Sequence, residues 1–564
     1  MEKPLDWKVF FQRRITLALV LAGVGLYGVL FWQYVSRSPF ASVPVVDSDF
    51  YWNAAREAAR GNGLPPVIFN APLYPLFVTA VVVLTGPSLP TLYILQLALA
   101  LLAVLFTAWT ARRLVSPAAE AMAGFSLLLY LPPAFLAVKI LPDTPSLFLL
   151  SLFLFLYTRP GKSPGLAVGL GLVGGLMGLA RSQFLPVAGL LLILWPLYGP
   201  RLPRKQAARF TALALCLFAL PLGLWGLRNL HASGRFFLHA PNGGLSFYMG
   251  NNENASGAYC PVPGMTSDVN GMLPALVDMA SVEMGRPVTL AEADAHFYAK
   301  GLEYIRSHPA DWLALELRKA RIILSPRETG VIYSLNLEKS LHLTVARFFP
   351  MTFSLFVPFC LAALIQMAFY DRRAWAALWP FLVTGALLTA ALMAFMVATR
   401  YRILLLPAVG VTAAYGAVAA WGWVRNRRWL PLTVLALALG WAVYASATGQ
   451  GGVAAQSLNN LAYAELNSGR FSQAEALSRQ VLAARPGDPV ALNNLVTALL
   501  ALGRPDEARP LVDRLADNPV FSENVGIFRE RMEEYRDKAP GTPDQRGGLP
   551  PERPGHNTLT NPVP

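Results

Sequence analysis

Long apolar runs alternate with short polar segments along most of the chain. Apolar stretches fill residues 15–227 and 346–447, whereas 228–345 and 450–564 have the mixed pattern of soluble protein. A helix that crosses a bilayer needs about 20 mainly apolar residues. Applying this length predicts about eleven spans, at 15–35, 91–111, 119–138, 144–158, 165–180, 184–199, 210–227, 346–369, 374–397, 403–421 and 430–447.

One further apolar segment, residues 71–86, does not fit this scheme. It is short and carries Pro72 and Pro75, and counting it as a full span would invert every later loop. Proline is well tolerated at a helix start. We therefore expect a partly inserted or re-entrant helix here.

Composition supports a membrane protein and excludes an ordinary soluble one. Hydrophobic residues make up 54% and charged residues 14% of the chain, with a mean hydropathy of +0.43, against about 25% charged residues in soluble domains. The three cysteines, at 216, 260 and 360, form no CxxC motif, so neither a disulfide framework nor a zinc site is predicted. The N-terminus shows no cleavage pattern, and its apolar segment is interpreted as a retained span.

The net charge of +14 does not indicate nucleic acid as a partner, because the basic residues lie in short clusters between the apolar runs. Their positions instead predict the orientation of the spans. Basic clusters follow every second span, and they mark cytoplasmic loops. The prediction is a multi-pass protein of the cytoplasmic (inner) membrane with a cytoplasmic N-terminus. The segments that then face outward are 36–90, 139–143, 181–183, 228–345, 398–402 and the tail from about 448.

The largest outward loop, residues 228–345, is expected to contain short strands followed by helices. Thr289 and Glu292 have the spacing of a capping box, which predicts a helix to about His308. A second helix over 310–324 carries basic residues and is expected to lie on the bilayer surface.

A repeat with a period of 34 residues occupies the C-terminal region. Asn459-Asn460-Leu461 through Gly469-Arg470 matches Asn493-Asn494-Leu495 through Gly503-Arg504. This period is typical of tetratricopeptide repeats, which normally need at least three copies for stability. Two copies are present, so we expect support from a degenerate third helix pair or from the membrane domain. The composition after about 537 predicts a disordered tail.

Acidic residues stand in two of the predicted outward loops. Asp47 and Asp49 precede a predicted helix over 50–60, and Asp143 follows Pro142 at the start of a span. Such residues often cap helix N-termini, and capping is one interpretation. The other is that carboxylates at the membrane boundary bind a divalent metal or take a proton from an acceptor.

Arginines also collect on this face, where positive charge is normally depleted. They lie at span ends, at Arg181, Arg228, Arg400 and Arg402. Snorkelling to the interface is the alternative explanation for each. Carboxylates together with arginines at the bilayer surface suit a lipid-phosphate donor that carries a group to be transferred.

These motifs resemble the GT-C superfamily of polyprenyl-phosphate-sugar-dependent glycosyltransferases, especially bacterial relatives of protein mannosyltransferases and aminoarabinose transferases. The resemblance covers about residues 10–425. It is carried, in order, by DSDFYxxAARE (47–57), APLYPLF (71–77), LPDTP (141–145), ARSQFLP (180–186), PLGLWGLRN (221–229), GRF (234–236), NGGLSFYMGNN (242–252) and ATRYR (398–402).

The resemblance implies roles for individual residues. Asp47 would be the general base, with Asp49 as the fallback, and Asp143 would assist with a metal or the acceptor. The donor phosphate would be held by Arg181, Arg228, Arg400 and Arg402. The substrate would also be bound by Tyr51, Tyr74, Asn229 and Asn251. A magnesium or manganese ion on Asp47 and Asp143 stays open, because the family often has Asp-Glu where this chain has Asp47-Ser48.

The predicted fold class is an α-helical polytopic membrane protein of GT-C type. It comprises a membrane domain over 1–447 with a mixed outward loop at 228–345, a tetratricopeptide domain over 455–535 and a tail over 537–564.

The predicted function is inverting transfer of a hexose or pentose from a polyprenyl-phosphate donor to a protein, lipid or glycan of the cell envelope. The tetratricopeptide domain would bind a protein partner or acceptor. The alternatives are a transporter or flippase of lipid-linked glycans, an O-antigen ligase or polymerase, and a non-catalytic scaffold.

Overall fold

Helices account for nearly all regular structure in the protein. The computed structural model describes residues 7–65, 68, 71–200, 202–239, 242–260, 262, 269–448, 455–516, 518 and 521–537. In these residues the only β-type pairings are two isolated bridges, Tyr130 with Met351 and Ala258 with Val397. The predicted disordered tail lies outside the described residues except for Asp537.

The first membrane segment contains ten helices in its described residues. Three of them begin at a Ser-Pro or Ser-x-Pro sequence, where Ser88, Ser116 or Ser163 accepts a backbone N–H of the first turn. The helices are α1 (Trp7–Arg37), α2 (Asp47–Ala59), α3 (Leu73–Thr85), α4 (Leu89–Leu114), α5 (Pro117–Leu128), α6 (Leu131–Ala137), α7 (Asp143–Tyr157), α8 (Pro164–Ala180), α9 (Phe184–Leu194) and α10 (Arg204–Ser233).

The outward loop has helices and no strand among its described residues, so the predicted short strands are not found there. Gly244 and Gly250 lie directly against the backbone at Asp294 and Phe395, which places the first loop helix close to both segments. The capping box at Thr289 is confirmed. The loop helices are α11 (Gly243–Gly250), α12 (Val269–Met284), α13 (Leu290–Ser307), α14 (Pro309–Leu324) and α15 (Leu335–Leu341).

The second membrane segment and the C-terminal region complete the chain. The membrane helices are α16 (Phe356–Phe369), α17 (Ala374–Ala394), α18 (Thr399–Arg402), α19 (Leu406–Arg425) and α20 (Trp429–Thr448). The C-terminal helices are α21 (Ala455–Asn467), α22 (Phe471–Ala484), α23 (Pro489–Ala501), α24 (Pro505–Ala516) and α25 (Ser522–Asp537). Short 3-10 turns occur at Pro39–Ala41, Trp195–Leu197, Thr344–Phe348, Phe353–Leu355 and Ile403–Leu405.

Six helices among the described residues are long and apolar enough to cross a bilayer: Arg14–Arg37, Leu89–Leu114, Arg204–Ser233, Ala374–Ala394, Thr399–Arg425 and Trp429–Thr448. Other predicted spans form shorter apolar helices, so the count of eleven stays a prediction. The segment over 119–138 is broken into α5 and α6, since Pro132 and Pro133 follow the break. With 13 residues, α3 rises only about 20 Å, less than the hydrocarbon thickness.

A glycine contact fixes the packing of α16 on α19. A Cβ at Gly416 would overlap the Phe359 carbonyl oxygen. We expect Gly416→Ala to lower the thermal stability of the purified protein, because overpacking costs about 1–3 kcal/mol. Gly422→Ala is the matched control, since the same helix leaves open space there. Equal changes in Tm for the two variants would contradict this explanation.

The C-terminal helices pack as antiparallel pairs, and Gly469 and Gly503 occupy equivalent turns with the same φ of 74°. The described residues show one further helix, in place of the predicted third helix pair, and contacts with the membrane domain. Helix α25 packs against α23 and α24. The Asn460 side chain donates to the Ile332 carbonyl at 3.0 Å, and Leu461 joins the main hydrophobic core.

Candidate functional site

Four charged side chains from distant parts of the sequence form one cluster, which we call the acid–arginine cluster. Arg400 Nη1 lies 3.1 Å from Asp47 Oδ2, and Arg400 Nε lies 3.5 Å from Asp143 Oδ2. Arg181 Nη2 donates to Asp143 Oδ1 at 2.5 Å. The side chain of Asp143 is fully buried and the other three are 11–16% exposed. Charges this buried are stable only when paired, and here two acids balance two arginines.

Helix ends position all four groups. Asp47 and Asp143 are the first residues of α2 and α7, and Arg181 is the C-cap of α8. Neither carboxylate caps its own helix by a side-chain hydrogen bond. The capping interpretation therefore does not describe them, although the positive N-terminal end of each helix still favours a carboxylate.

Two tyrosines adjoin the cluster. The Tyr51 ring is fully buried, and its hydroxyl has no hydrogen-bond partner among the described residues. Burial, followed by the charge of Asp47, raises the pKa of Tyr51 well above its ordinary value. The hydroxyl is therefore protonated and available as a donor. The Tyr401 ring lies 5.1 Å from the Arg181 guanidinium and 5.5 Å from that of Arg400, within cation–π range.

The backbone before Asp47 is strained. Val46 has φ 52° and ψ −121°, which is an uncommon conformation for a β-branched residue. Such outliers persist where the surrounding structure holds them. Ser48 provides that hold, since its hydroxyl donates to the Ile140 carbonyl at 3.1 Å and accepts from the Tyr333 hydroxyl at 2.8 Å. The turn that carries Asp47 is thereby fastened to the turn that carries Asp143.

A buried ion pair lies beside these turns. Lys139 Nζ lies 2.7 Å from Glu338 Oε1, and both side chains are 0% exposed. The ammonium also sits over the rings of Tyr34 and Tyr333, at 4.2 and 4.5 Å. Burial lowers the pKa of Lys139 to about 8 and raises that of Glu338, and the attraction between the two groups opposes both shifts.

Two of the predicted phosphate-binding arginines are not part of the cluster. Arg402 donates to the carbonyls of Ile322, Ile323, Ser325 and Arg327 and pairs with Glu328 at 2.7 Å. Arg402 thus donates hydrogen bonds to backbone carbonyl groups at the C-terminal end of α14, which have no partner within the helix. Arg228 donates to the carbonyls of Leu64 and Pro65. Backbone groups occupy both guanidiniums.

Three predicted substrate-binding residues also have structural partners. The Tyr74 hydroxyl donates to Gln96, and Asn229 donates to the Phe237 carbonyl. Asn251 donates to the carbonyls of Phe247 and Ala394 and accepts from Trp312 and Lys319.

Asp49 lies in the first turn of α2 and accepts from Asn53 at 3.0 Å, facing a separate groove at Gly63 and Leu64.

The acids do not make a prepared metal site in this arrangement. A divalent ion on Asp47 and Asp143 would compete with Arg400 at Asp47 Oδ2 and with Arg181 at Asp143 Oδ1, while Asp143 Oδ2, 3.5 Å from Arg400 Nε, has no hydrogen-bond partner among the described residues. The described residues contain no group of three or more histidine, cysteine, aspartate or glutamate side chains suited to a metal. The two carboxylates suit proton transfer, and the two guanidiniums suit the binding of an anion.

Sequence reasoning missed the residues that hold the site together: Ser48, Lys139, Tyr333 and Glu338. Lys139 carried a usable signal, because a lone lysine between apolar runs requires a partner. Its partner lies 199 residues away, and no sequence pattern connects the two.

Comparison with known proteins supports the C-terminal assignment. The tetratricopeptide repeat family matches residues 465–522, which confirms the predicted repeat. Cellulose synthase operon protein C of Pseudomonas fluorescens (strain SBW25) is 38% identical over 91 residues, which are 16% of this chain and 7% of that protein.

The chain is similar to solved structures of the oligosaccharyltransferase of Archaeoglobus fulgidus. The apo crystal structure gives a TM-score of 0.43 at 13% identity, and the complex with an inhibitory peptide and a dolichol-phosphate gives 0.43 at 14%. Each comparison covers 82% of this chain and 58% of the other. A third structure, with Zn and sulfate, gives 0.39 at 15% identity and covers 81% and 56%.

Proposed function

We propose that this membrane protein is a glycosyltransferase that moves a sugar from a polyprenyl-phosphate donor to an acceptor on the extracytoplasmic side of the cytoplasmic membrane. The single observation that carries the proposal is the acid–arginine cluster. Two carboxylates and two guanidiniums converge from four separate chain segments, and both acids open helices. This arrangement offers a base and a phosphate-binding group within one site.

The reaction follows from the pairings of Arg400. In the resting protein Arg400 is shared between Asp47 and Asp143. A lipid phosphate can bind a guanidinium through two parallel hydrogen bonds, as a carboxylate can, and its arrival would compete with Asp47 for Arg400. The freed carboxylate can then accept a proton, so donor binding itself would switch on the base.

The transfer step would proceed by one displacement. Asp47 takes the proton of the acceptor hydroxyl or amide while the acceptor atom forms a bond to the anomeric carbon. The bond from that carbon to the phosphate oxygen breaks, and its electron pair leaves with the polyprenyl phosphate. The configuration inverts. Arg181 and Arg400 stabilise the charge that develops on the leaving phosphate, and the Tyr51 hydroxyl can donate a further hydrogen bond.

The location of the charges favours an enzyme over a transporter. Transporters tend to hold their substrate at ionisable groups near the bilayer midplane. Here Asp47, Asp143 and Arg181 stand at helix ends, and Arg400 lies in the short helix before α19. The repeat domain would present a protein partner or acceptor to this face.

The test is a transfer assay on membranes that contain the full chain, with a panel of labelled polyprenyl-phosphate sugars, each assayed with and without a chelator. We expect one donor to be consumed, with label appearing in an acceptor or in free sugar, and activity to survive the chelator. Membranes carrying Asp47→Asn provide the matched blank. If no donor reacts faster than in that blank, the glycosyltransferase assignment is wrong.

A further inference from the structure

A large cavity lies on the far side of the segment that borders the acid–arginine cluster. Its volume is about 880 Å³, and its walls come from α14, the segment after it, the end of α20 and the first helix of the repeat domain. Ligand sites usually enclose about 300–1,000 Å³. The cavity is therefore large enough for the head of an amphiphile.

One wall of the cavity is strongly basic. Arg318, Arg321 and Arg327 line it and are exposed. Over the described part of the chain, no acidic side chain forms an ion pair with any of these three guanidiniums, whereas Glu328, the acidic residue that lines the cavity, pairs with the buried Arg402. The negative charge of Glu328 is therefore already balanced by Arg402. The positive charges of Arg318, Arg321 and Arg327 remain available to a ligand.

The opposite wall is apolar and aromatic. It is formed by Trp441, Tyr444 and Ala445 near the end of α20. Tryptophan and tyrosine at the end of a span occupy the headgroup level of the bilayer. Trp441 and Tyr444 are 45% and 69% exposed, and Leu437, one turn deeper, is 71% exposed. An apolar track therefore runs from the bilayer core into a basic cavity.

We propose that this cavity binds the phosphate headgroup of an anionic phospholipid, with the acyl chains lying along the exposed face of α20. The headgroup would contact Arg318, Arg321 and Arg327. Residues Glu328 to Gly330 line this cavity on one side and the small cavity at Arg400 on the other. A lipid held here is thereby separated from the reacting carboxylates, and the inference does not depend on the proposed activity.

The experiment is native mass spectrometry of the full chain in detergent, titrated with phosphatidylglycerol or with phosphatidylcholine. We expect selective retention of phosphatidylglycerol. The triple variant Arg318→Gln/Arg321→Gln/Arg327→Gln should bind it on the order of 100-fold more weakly, since each cation near an anionic surface contributes roughly fivefold. Ala445→Trp, which fills the cavity and keeps the arginines, should also lose the lipid.

The matched control is Arg235→Gln/Arg347→Gln/Arg509→Gln, which removes the same charge from exposed positions outside the cavity. Equal loss of lipid in this control would assign the binding to diffuse attraction and overturn the site. Equal retention of phosphatidylcholine would overturn the phosphate contact. Displacement of the retained lipid by equimolar polyprenyl phosphate would reassign the cavity to the donor and also overturn the proposal.

Discussion

Asp47→Asn is expected to lower the rate constant of sugar transfer by about 10²–10⁴-fold, the usual contribution of a positioned general base. Asparagine keeps the size of aspartate and one of its two acceptor oxygens, but it cannot take the proton of the acceptor. Arg400 retains Asp143 as a partner, so the fold and the phosphate contacts should persist. Initial rates over a range of donor concentrations should therefore show a fall in kcat with little change in KM.

Asp49→Asn is the matched control for this substitution. It removes the same charge from the same first turn of α2, but Asp49 faces Asn53 and a separate groove. We expect at least half of the transfer activity to remain. The opposite ranking, with Asp49→Asn inactive and Asp47→Asn active, would remove Asp47 from the mechanism and move the base to the fallback position.

Lys139→Met is expected to lower the free energy of unfolding by about 3–5 kcal/mol, because it leaves the buried Glu338 carboxyl group without its partner. The segment from Lys139 leads directly to Asp143, so transfer activity should fall as well. Thermal unfolding of the purified full chain, followed by size-exclusion chromatography after heating, measures the stability change.

The double substitution Lys139→Met/Glu338→Leu provides the decisive comparison. Replacing both members of a buried ion pair by apolar residues is often neutral or stabilising. The double variant should therefore be more stable than either single variant, which gives a large coupling in the double-mutant cycle. Losses that simply add would show that the two charges do not interact in the way their 2.7 Å separation implies.

Helices were predictable where a strong local pattern dictates them. The capping box at Thr289 acts within one turn of chain, and the 34-residue repeat shows itself by its period within a contiguous stretch of sequence. The outward loop was harder, because its short segments fold against partners far away in sequence. Gly250 illustrates this, since it lies directly against the backbone of Phe395, 145 residues away in the sequence.

The candidate site was predictable in part for a similar reason. The distribution of loop charge predicted that Asp47, Asp143, Arg181 and Arg400 lie on the outward face of the membrane. The structure brings these four side chains together. The same rule also selected Arg402, which binds the end of α14 instead. Loop charge reports the side of the membrane on which a residue lies. It does not report the direction of the side chain, which depends on tertiary packing.

The docking of the repeat domain has a consequence for selection among acceptors. Asn460 bonds to Ile332, and the next residue, Tyr333, bonds to the serine beside Asp47. These contacts hold the repeats at a defined position relative to Asp47. A polypeptide held along them would present to the carboxylates only those side chains at one fixed distance from its anchoring segment, so spacing along the acceptor would matter more than the residues flanking the modified one.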